Sequence, residues 1–373
     1  MNIEHFAVEM WMNAYETRCR YNIAETCVDS ITLGGLLDLV GDPAALDALR
    51  PRKLTYGDIE GAERLRAAIA ALYADVTIDR VVTTHGAIGA NALLYEALVG
   101  PGDEMVSLVP TYQQHVSIAE SYGAQVKRLP LQREQRYLPD LDALARLVTP
   151  RTKLIALTNP NNPTGALIER PMLEAIARIA ARHNAYVLCD EVYRGVNQDD
   201  DALTPSIVDL YERGIAVGSM SKAFALAGLR LGWIVAPREV REAVLIHRDY
   251  NTISVGIVDE YLATLALEHT DALLARNRAI VRTNLALLEA WVAQEPRLDW
   301  VKPRGGTVTL LDYALPLSSR DLCTRLLQEA GVLLMPGSAL GMEGTVRIGF
   351  GNGTEVLRDG LAATSRVLAA LPG

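Results

Sequence analysis

Two periodicities divide this chain. Between residues 80 and 235, short apolar runs rich in Val, Ile and Leu alternate with stretches whose apolar positions recur every three or four residues. The short runs predict strands over 80–84, 104–109, 125–129, 153–157, 185–189, 215–218 and 232–235. The periodic stretches predict helices over 86–98, 113–122, 141–147 and 171–183. Strands and helices that alternate in this way indicate a mostly parallel sheet covered on both faces.

The flanks differ. Phe6, Met10, Trp11 and Tyr15 have helical spacing, residues 23–30 read as an extended turn, and short helices are expected over 36–40 and 43–49. An amphipathic helix follows over 61–72, with Leu65, Ala68, Ile69 and Leu72 on one face. Beyond Pro237 come two long helical stretches, 239–267 and 271–295, then strands over 307–312 and 345–350 and helices over 320–330 and 355–368. The expected architecture is α/β, a three-layer, mostly parallel sheet in a large domain over residues 45–270. Both termini, 1–44 and 271–373, would form a smaller α+β domain.

Composition narrows the function. Half of the 373 residues are hydrophobic, enough for a sizeable core. A formal charge of −9 and the lack of any basic run argue against a nucleic-acid or anionic-membrane partner. The start, Met1-Asn2-Ile3-Glu4-His5, has no basic segment, and no long apolar stretch follows. Neither a secretory signal nor a membrane span is expected, and a cytoplasmic setting fits. Cys19, Cys27, Cys189 and Cys323 are scattered, with no CxxC pair or His cluster, so neither a disulfide frame nor a metal site is expected.

Candidate chemistry centres on Lys222, in Ser219-Met220-Ser221-Lys222, with Arg230 eight positions on. Apolar runs flank this lysine on both sides, and desolvation among such neighbours would lower its pKa, as carbonyl chemistry requires. Ser219, Ser221 and Arg230 are donors suited to a phosphate ester. Read without context, the same residues also describe a surface lysine beside incidental serines. Further clusters sit at predicted strand ends, where open α/β sheets bind ligands. Gly86, Ala87 and Ile88 could turn backbone N–H groups at a helix start toward an anion. Tyr112 could stack on a flat ring or simply close the core. Asn159-Pro160-Asn161-Asn162-Pro163-Thr164-Gly165 forms a rigid turn able to present an amide N–H. Asp190 could meet a pyridine nitrogen or cap a helix, and Tyr193 follows three residues later. Arg347, alternating with apolar residues, could bind a carboxylate or form a surface ion pair.

The order of these motifs from Leu54 to Phe350 resembles the class I/II aminotransferases of the fold-type I pyridoxal-phosphate enzymes. NPNNPTG (159–165), DEVYR (190–194) and SMSKAFALAGLRLGW (219–233) carry the likeness. The resemblance implies pyridoxal 5′-phosphate as cofactor and a reaction between an amino acid and a 2-oxo acid. Lys222 would form a Schiff base with the cofactor and then shuttle the substrate proton. Asp190 would pair with the pyridinium nitrogen, Asn162 and Tyr193 with the phenolic oxygen, and Tyr112 would stack on the ring. Ser219, Ser221, Arg230 and the amides of Ala87 and Ile88 would hold the phosphate. Tyr56 would reach the phosphate of the neighbouring subunit, which implies a homodimer with shared active sites. Arg347, with Asn162 beside it, would take the substrate carboxylate.

One stretch departs from the family. Its members usually run from an apolar strand into a Gly-x-Gly-x-Pro turn, whereas residues 21–33 here carry Glu25 and Asp29 near the expected substrate side chain. These are either two solvated acids, with Asp29 or Ser30 capping the next helix, or an acidic pocket for a guanidinium or ammonium group. The same stretch resembles that of the arginine-acting members, capreomycidine synthase (a cyclase) and the oxygen-using arginine oxidases. Transamination, with a preference for a cationic amino acid such as arginine, is the leading expectation. Oxidation, elimination or cyclisation of arginine or a derivative is the alternative.

Overall fold

The computed structural model describes residues 2–371. Its centre is a seven-stranded sheet in the order Val81–Thr84, Gly232–Val235, Gly214–Ser219, Tyr186–Asp190, Thr152–Thr158, Glu104–Val109, Gln125–Pro130. Gly232–Val235 runs antiparallel to both neighbours, and the other pairs are parallel. Side chains alternate between the two faces of a strand, and here both faces are buried. Leu154, Ala156, Leu188, Ile215 and Ile234 enter one apolar core. Their chain neighbours Ile155, Leu157, Val187, Ala216 and Val235 enter the other. Helices Gly86–Leu98 and Arg238–Asp249 close the first core through Leu93, Leu94, Val240 and Val244. Helix Arg170–Ala181 closes the second through Leu173, Ile176 and Ala180. This is the three-layer α/β arrangement that the alternating pattern predicts.

The remaining strands are short. An antiparallel sheet runs Met335–Pro336, Thr345–Gly349, Val308–Tyr313, Leu298–Trp300, and Tyr21–Asn22 pairs in parallel with Val332–Leu333. Helix Ala7–Tyr15 is tied to this unit by Trp11, whose indole N–H donates to the Leu334 carbonyl at 2.9 Å. Among the described residues, no helix is long and apolar enough to cross a membrane.

Two expectations need correction. The helical stretch expected over 239–267 is two helices, Arg238–Asp249 and Ile257–Glu268. Between them the Arg248 carbonyl accepts from the N–H groups of Asn251, Thr252 and Ile253, and Ile253 sits at φ +58°. That turn breaks the helix although the apolar spacing carries on across it. The strands Tyr21–Asn22, Leu298–Trp300, Val332–Leu333 and Met335–Pro336 are absent from the pattern because two or three residues show no period.

The topology explains where chemistry can gather. The parallel strands all end at one edge, and Val81–Thr84 points the same way because two antiparallel steps separate it from Gly214–Ser219. Gly86, Tyr112, Asn162, Asp190 and Ser219 therefore arrive at one rim from strands far apart in sequence.

Candidate active site

A cavity of about 340 Å³ opens at that rim, between the large sheet, strand Thr345–Gly349 and helix Ala7–Tyr15. Lys222, Asp190, Tyr193, Tyr112, Asn162, Ser219, Ser221, Arg230, Ala87, Ile88, Arg347 and Glu25 all line it. Tyr56 and Asp29 do not.

Lys222 lies just beyond strand Gly214–Ser219. Its Nζ donates to Thr26 Oγ1 at 2.5 Å and to Cys27 Sγ at 3.3 Å. Burial pulls the Lys222 ammonium toward a lower pKa, but Cys27, Tyr193 and Glu25 beside it outweigh burial and hold it above the ordinary lysine value. The expectation of a depressed lysine is therefore reversed in this structure. Its chain neighbours are apolar, but the groups that its nitrogen meets are polar. Burial likewise pushes the Tyr193 phenol up, against the pull of Lys222 and Arg347.

Asp190 ends strand Tyr186–Asp190 and is only 5 % exposed. Oδ2 accepts from Asn91 Nδ2 at 3.0 Å and lies 3.3 Å from His115 Nε2. The Val192 N–H donates to Oδ1 at 3.2 Å, so Asp190 orders the following turn as well as facing the cavity. With the proton on Nε2, His115 Nδ1 accepts from the Tyr95 hydroxyl at 2.8 Å. A buried row, Tyr95–His115–Asp190, thus sets the carboxylate's orientation. Sequence reasoning missed Asn91, Tyr95 and His115. Asn91 and Tyr95 are polar groups in the mostly apolar helix Gly86–Leu98, which was the available signal, whereas His115 lies in the mixed helix Gln114–Ser121 and carried none.

The anion cradle is built from close backbone approach. Gly86, at φ +67°, starts helix Gly86–Leu98, leaving the Ala87 and Ile88 amides free at its N-terminus. A Cβ on Gly86 would lie 3.1 Å from Arg230 Nη2, and one on Gly232 would lie 2.4 Å from the Gly86 carbonyl carbon. Arg230 itself holds a left-handed backbone, φ +48°, and its Nη1 reaches Ser221 Oγ at 3.5 Å. The Ser221 N–H donates to Ser219 Oγ at 3.3 Å. Helix-end amides, two hydroxyls and a guanidinium suit a dianionic phosphate. Asp190 at one flank and Lys222 at another suit a protonated ring nitrogen and an aldehyde. The residues present fit pyridoxal 5′-phosphate.

The opposite wall carries Arg347, 2 % exposed on strand Thr345–Gly349. Its Nη1 donates to Asn162 Oδ1 at 3.1 Å and its Nη2 to the Ala24 carbonyl at 3.2 Å, while its Nε has no partner among the described residues. Burial lowers its pKa, with Tyr193 and Glu25 opposing. Tyr112 donates its hydroxyl to Glu9 Oε1 at 2.6 Å, and its ring lies 4.6 Å from that of Phe6. Glu9 and Glu16, from and just after helix Ala7–Tyr15, line the cavity. Neither was singled out in the sequence, because acids on a surface-type helix are unremarkable.

The acidic residues suspected in the sequence are placed differently. Asp29 is exposed and away from the cavity, with its backbone carbonyl accepting from Arg276 Nη1. Glu25 is at the cavity, but its Oε1 accepts from the N–H groups of Thr26 and Cys27. Burial raises its pKa, yet Lys222 and those amides prevail and lower it. Tyr56 is 74 % exposed, in a loop with exposed Leu54 and Ile59.

An α/β sheet whose strand ends bring a lysine, an aspartate and a phosphate cradle into one cavity defines the fold-type I pyridoxal-phosphate enzymes. The model for aminotransferase class I and II matches residues 43–363, and the chain belongs to that family. Pyridoxal 5′-phosphate is accordingly its cofactor. The chain is 35 % identical to capreomycidine synthase of Streptomyces vinaceus, covering 97 % of this chain and 93 % of that protein. It is 30 % identical to the arginine–pyruvate transaminase of Pseudomonas aeruginosa, covering 91 % of each. A pyridoxal-phosphate-dependent aminotransferase from Streptococcus suis superposes with a TM-score of 0.97 at 39 % identity, covering 100 % of both chains.

Proposed function

We propose that this protein is an aminotransferase that moves the amino group of a cationic α-amino acid, arginine foremost, to a 2-oxo acid, and that it works as a homodimer. The observation that carries the substrate class is the presence of Glu9 and Glu16 in the same cavity as Lys222 and Arg347. Two carboxylates at the cavity suit a guanidinium or ammonium group, and similarity to an arginine–pyruvate transaminase points the same way.

When bound, pyridoxal phosphate supplies an aldehyde for the substrate amine and a ring that takes up electrons as the Cα–H bond breaks. Lys222 would hold the cofactor, and its Nζ would carry the proton that leaves the substrate Cα. Asp190, aligned by Asn91 and His115, would keep the ring nitrogen protonated. Asn162 and Tyr193 would serve the phenolic oxygen, and Tyr112 would serve the ring. Ser219, Ser221, Arg230 and the Ala87 and Ile88 amides would hold the phosphate. Tyr56, exposed on one subunit, would complete the cradle of a second copy. Arg347 offers the substrate carboxylate a charged donor that is already oriented by Asn162 and has an Nε unpaired among the described residues. Helix Ala7–Tyr15 lines the cavity with the apolar side chains of Val8 and Met12, which would limit water at the reacting atoms.

A second reading is cyclisation or oxidation of arginine or a derivative, supported by the likeness to capreomycidine synthase. The test is a panel of amino acids incubated with and without a 2-oxo acid, following oxygen and products. Arginine turnover that requires the acceptor supports transamination. Oxygen uptake or a cyclic product without acceptor selects the second reading. Turnover confined to acidic or neutral amino acids overturns the substrate class.

A further inference from the structure

Glu25, Thr26 and Cys27 line the cavity, and the proposed reaction gives them no task. We infer that they form a holding site for the Lys222 amine, receiving it as an ammonium once it has taken up a proton. The inference rests on Lys222 being the cofactor's lysine.

The contacts are direct. Nζ reaches Thr26 Oγ1 at 2.5 Å and Cys27 Sγ at 3.3 Å. Glu25 does not contact Nζ in the same way. Its Oε1 takes the N–H groups of Thr26 at 2.7 Å and Cys27 at 2.9 Å, which fixes the turn and brings a negative charge to it. The segment is itself anchored. The Val28 N–H donates to the Lys222 carbonyl at 3.4 Å, and Thr307 Oγ1 donates to the Thr26 carbonyl at 2.6 Å. A Cβ on Gly349 would lie 1.8 Å from the Glu25 carbonyl oxygen, and one on Gly351 would lie 2.5 Å from that of Cys27. The turn therefore packs on bare backbone and has little freedom to withdraw from the lysine.

Charge on the surrounding elements favours a held ammonium. Glu25 and Cys27 face it from this segment, and Asp190 at the end of strand Tyr186–Asp190 and Tyr193 in the turn after it line the cavity. Arg347 and Arg230 are the cations opposing it, each turned to its own partner, Asn162 and Ser221 respectively. Burial raises the Cys27 thiol, against the pull of Lys222, and its sulfur offers the ammonium a soft, weak acceptor. An ammonium is not a nucleophile. Lys222 held in this way retains the proton it carries and returns to the cofactor only after losing it. Thr26 and Cys27 are positioning residues that act through Lys222.

The test is pulse labelling of the apoprotein with acetic anhydride across pH, with acetylation of the Lys222 peptide read by mass spectrometry. In the wild type the Lys222 midpoint should lie above that of ordinary lysines. In Thr26→Val and Cys27→Ala it should fall, and each unit of fall makes labelling about tenfold faster at a pH below both midpoints. Thr26→Ser, which keeps the hydroxyl, should stay near wild type. Unchanged midpoints in Thr26→Val and Cys27→Ala overturn the holding site. Where those variants do not fold, a wild-type midpoint at or below that of ordinary lysines overturns it equally. Borohydride reduction of the loaded protein separates the two ideas, because cofactor recovered on a peptide other than that of Lys222 refutes the lysine assignment instead.

Discussion

Replacing Glu9 with Gln tests the substrate pocket with little disturbance of shape. Glu9 Oε1 accepts from the Tyr112 hydroxyl at 2.6 Å, and a glutamine can keep that acceptor while losing the charge. Burial and Glu9 both push the Tyr112 phenol up, so Tyr112 stays protonated and able to donate in either protein. What Glu9→Gln removes is an ionic partner for the substrate side chain. Hydrogen bonds to charged groups contribute about 1.5–3 kcal/mol. Glu9 is only half-buried, and solvent screening places it at the low end of that range, about 1.5 kcal/mol, or roughly tenfold. The expected result is a roughly tenfold fall in kcat/KM for arginine and little change for norleucine, measured as initial rates with a fixed 2-oxo acid. Glu16 is exposed at the cavity mouth, so Glu16→Gln should add less, about 0–1 kcal/mol. The ratio between the two substrates cancels any loss of folded protein. An equal fall for arginine and norleucine would refute the reasoning and leave Glu9 as a support for Tyr112 alone.

Two further substitutions probe the frame around the cavity. Glu191 is buried beside Asp190, where burial outweighs Arg194, the Ser206 hydroxyl and the Ile207 N–H and pushes its pKa up from 4.5 to about 7. The unfolded carboxyl loses its proton near 4.5 while the folded one keeps it, so stability falls as pH rises between those values and levels off above about 7. The shift corresponds to about 3 kcal/mol. Glu191→Gln should flatten that slope in urea unfolding between about pH 5 and pH 8, and parallel pH curves for the two proteins would contradict it. Gly232→Ala places a Cβ 2.4 Å from the Gly86 carbonyl carbon and 2.6 Å from the Ala87 nitrogen. Displacing one charge-assisted amide contact to the phosphate should weaken cofactor binding roughly tenfold to a hundredfold. Equilibrium dialysis measures this, and unchanged affinity would show that the cradle tolerates the added methyl.

Much of the site is legible in short strings because parallel α/β topology gathers strand ends. Once the strands are assigned, Gly86, Asn162, Asp190 and Ser219 must share one rim. Lys222 and Arg230 follow because each lies within a few residues of a strand end. Contacts between distant segments are not legible in this way. Glu9 meets Tyr112 across 103 positions, Asn91 meets Asp190 across 99, and Lys222 meets Thr26 across 196. No local pattern encodes those pairings.

The sequence by itself determined the layered α/β architecture and the family, and it named a group of residues most of which the fold brings to one cavity. Periodicity and strand-end chemistry are local properties, and local properties survive in a string. Tertiary structure alone decided the electrostatics. It reversed the expected shift of Lys222, whose flanking residues are apolar but whose nitrogen meets Thr26 and Cys27. It turned Asp29 out to solvent, set Glu25 on the lysine's side of the cavity, and brought Glu9 and Glu16 in from the N-terminal helix. Charge interactions depend on distance and burial in three dimensions, and neither quantity is carried by the order of residues along the chain.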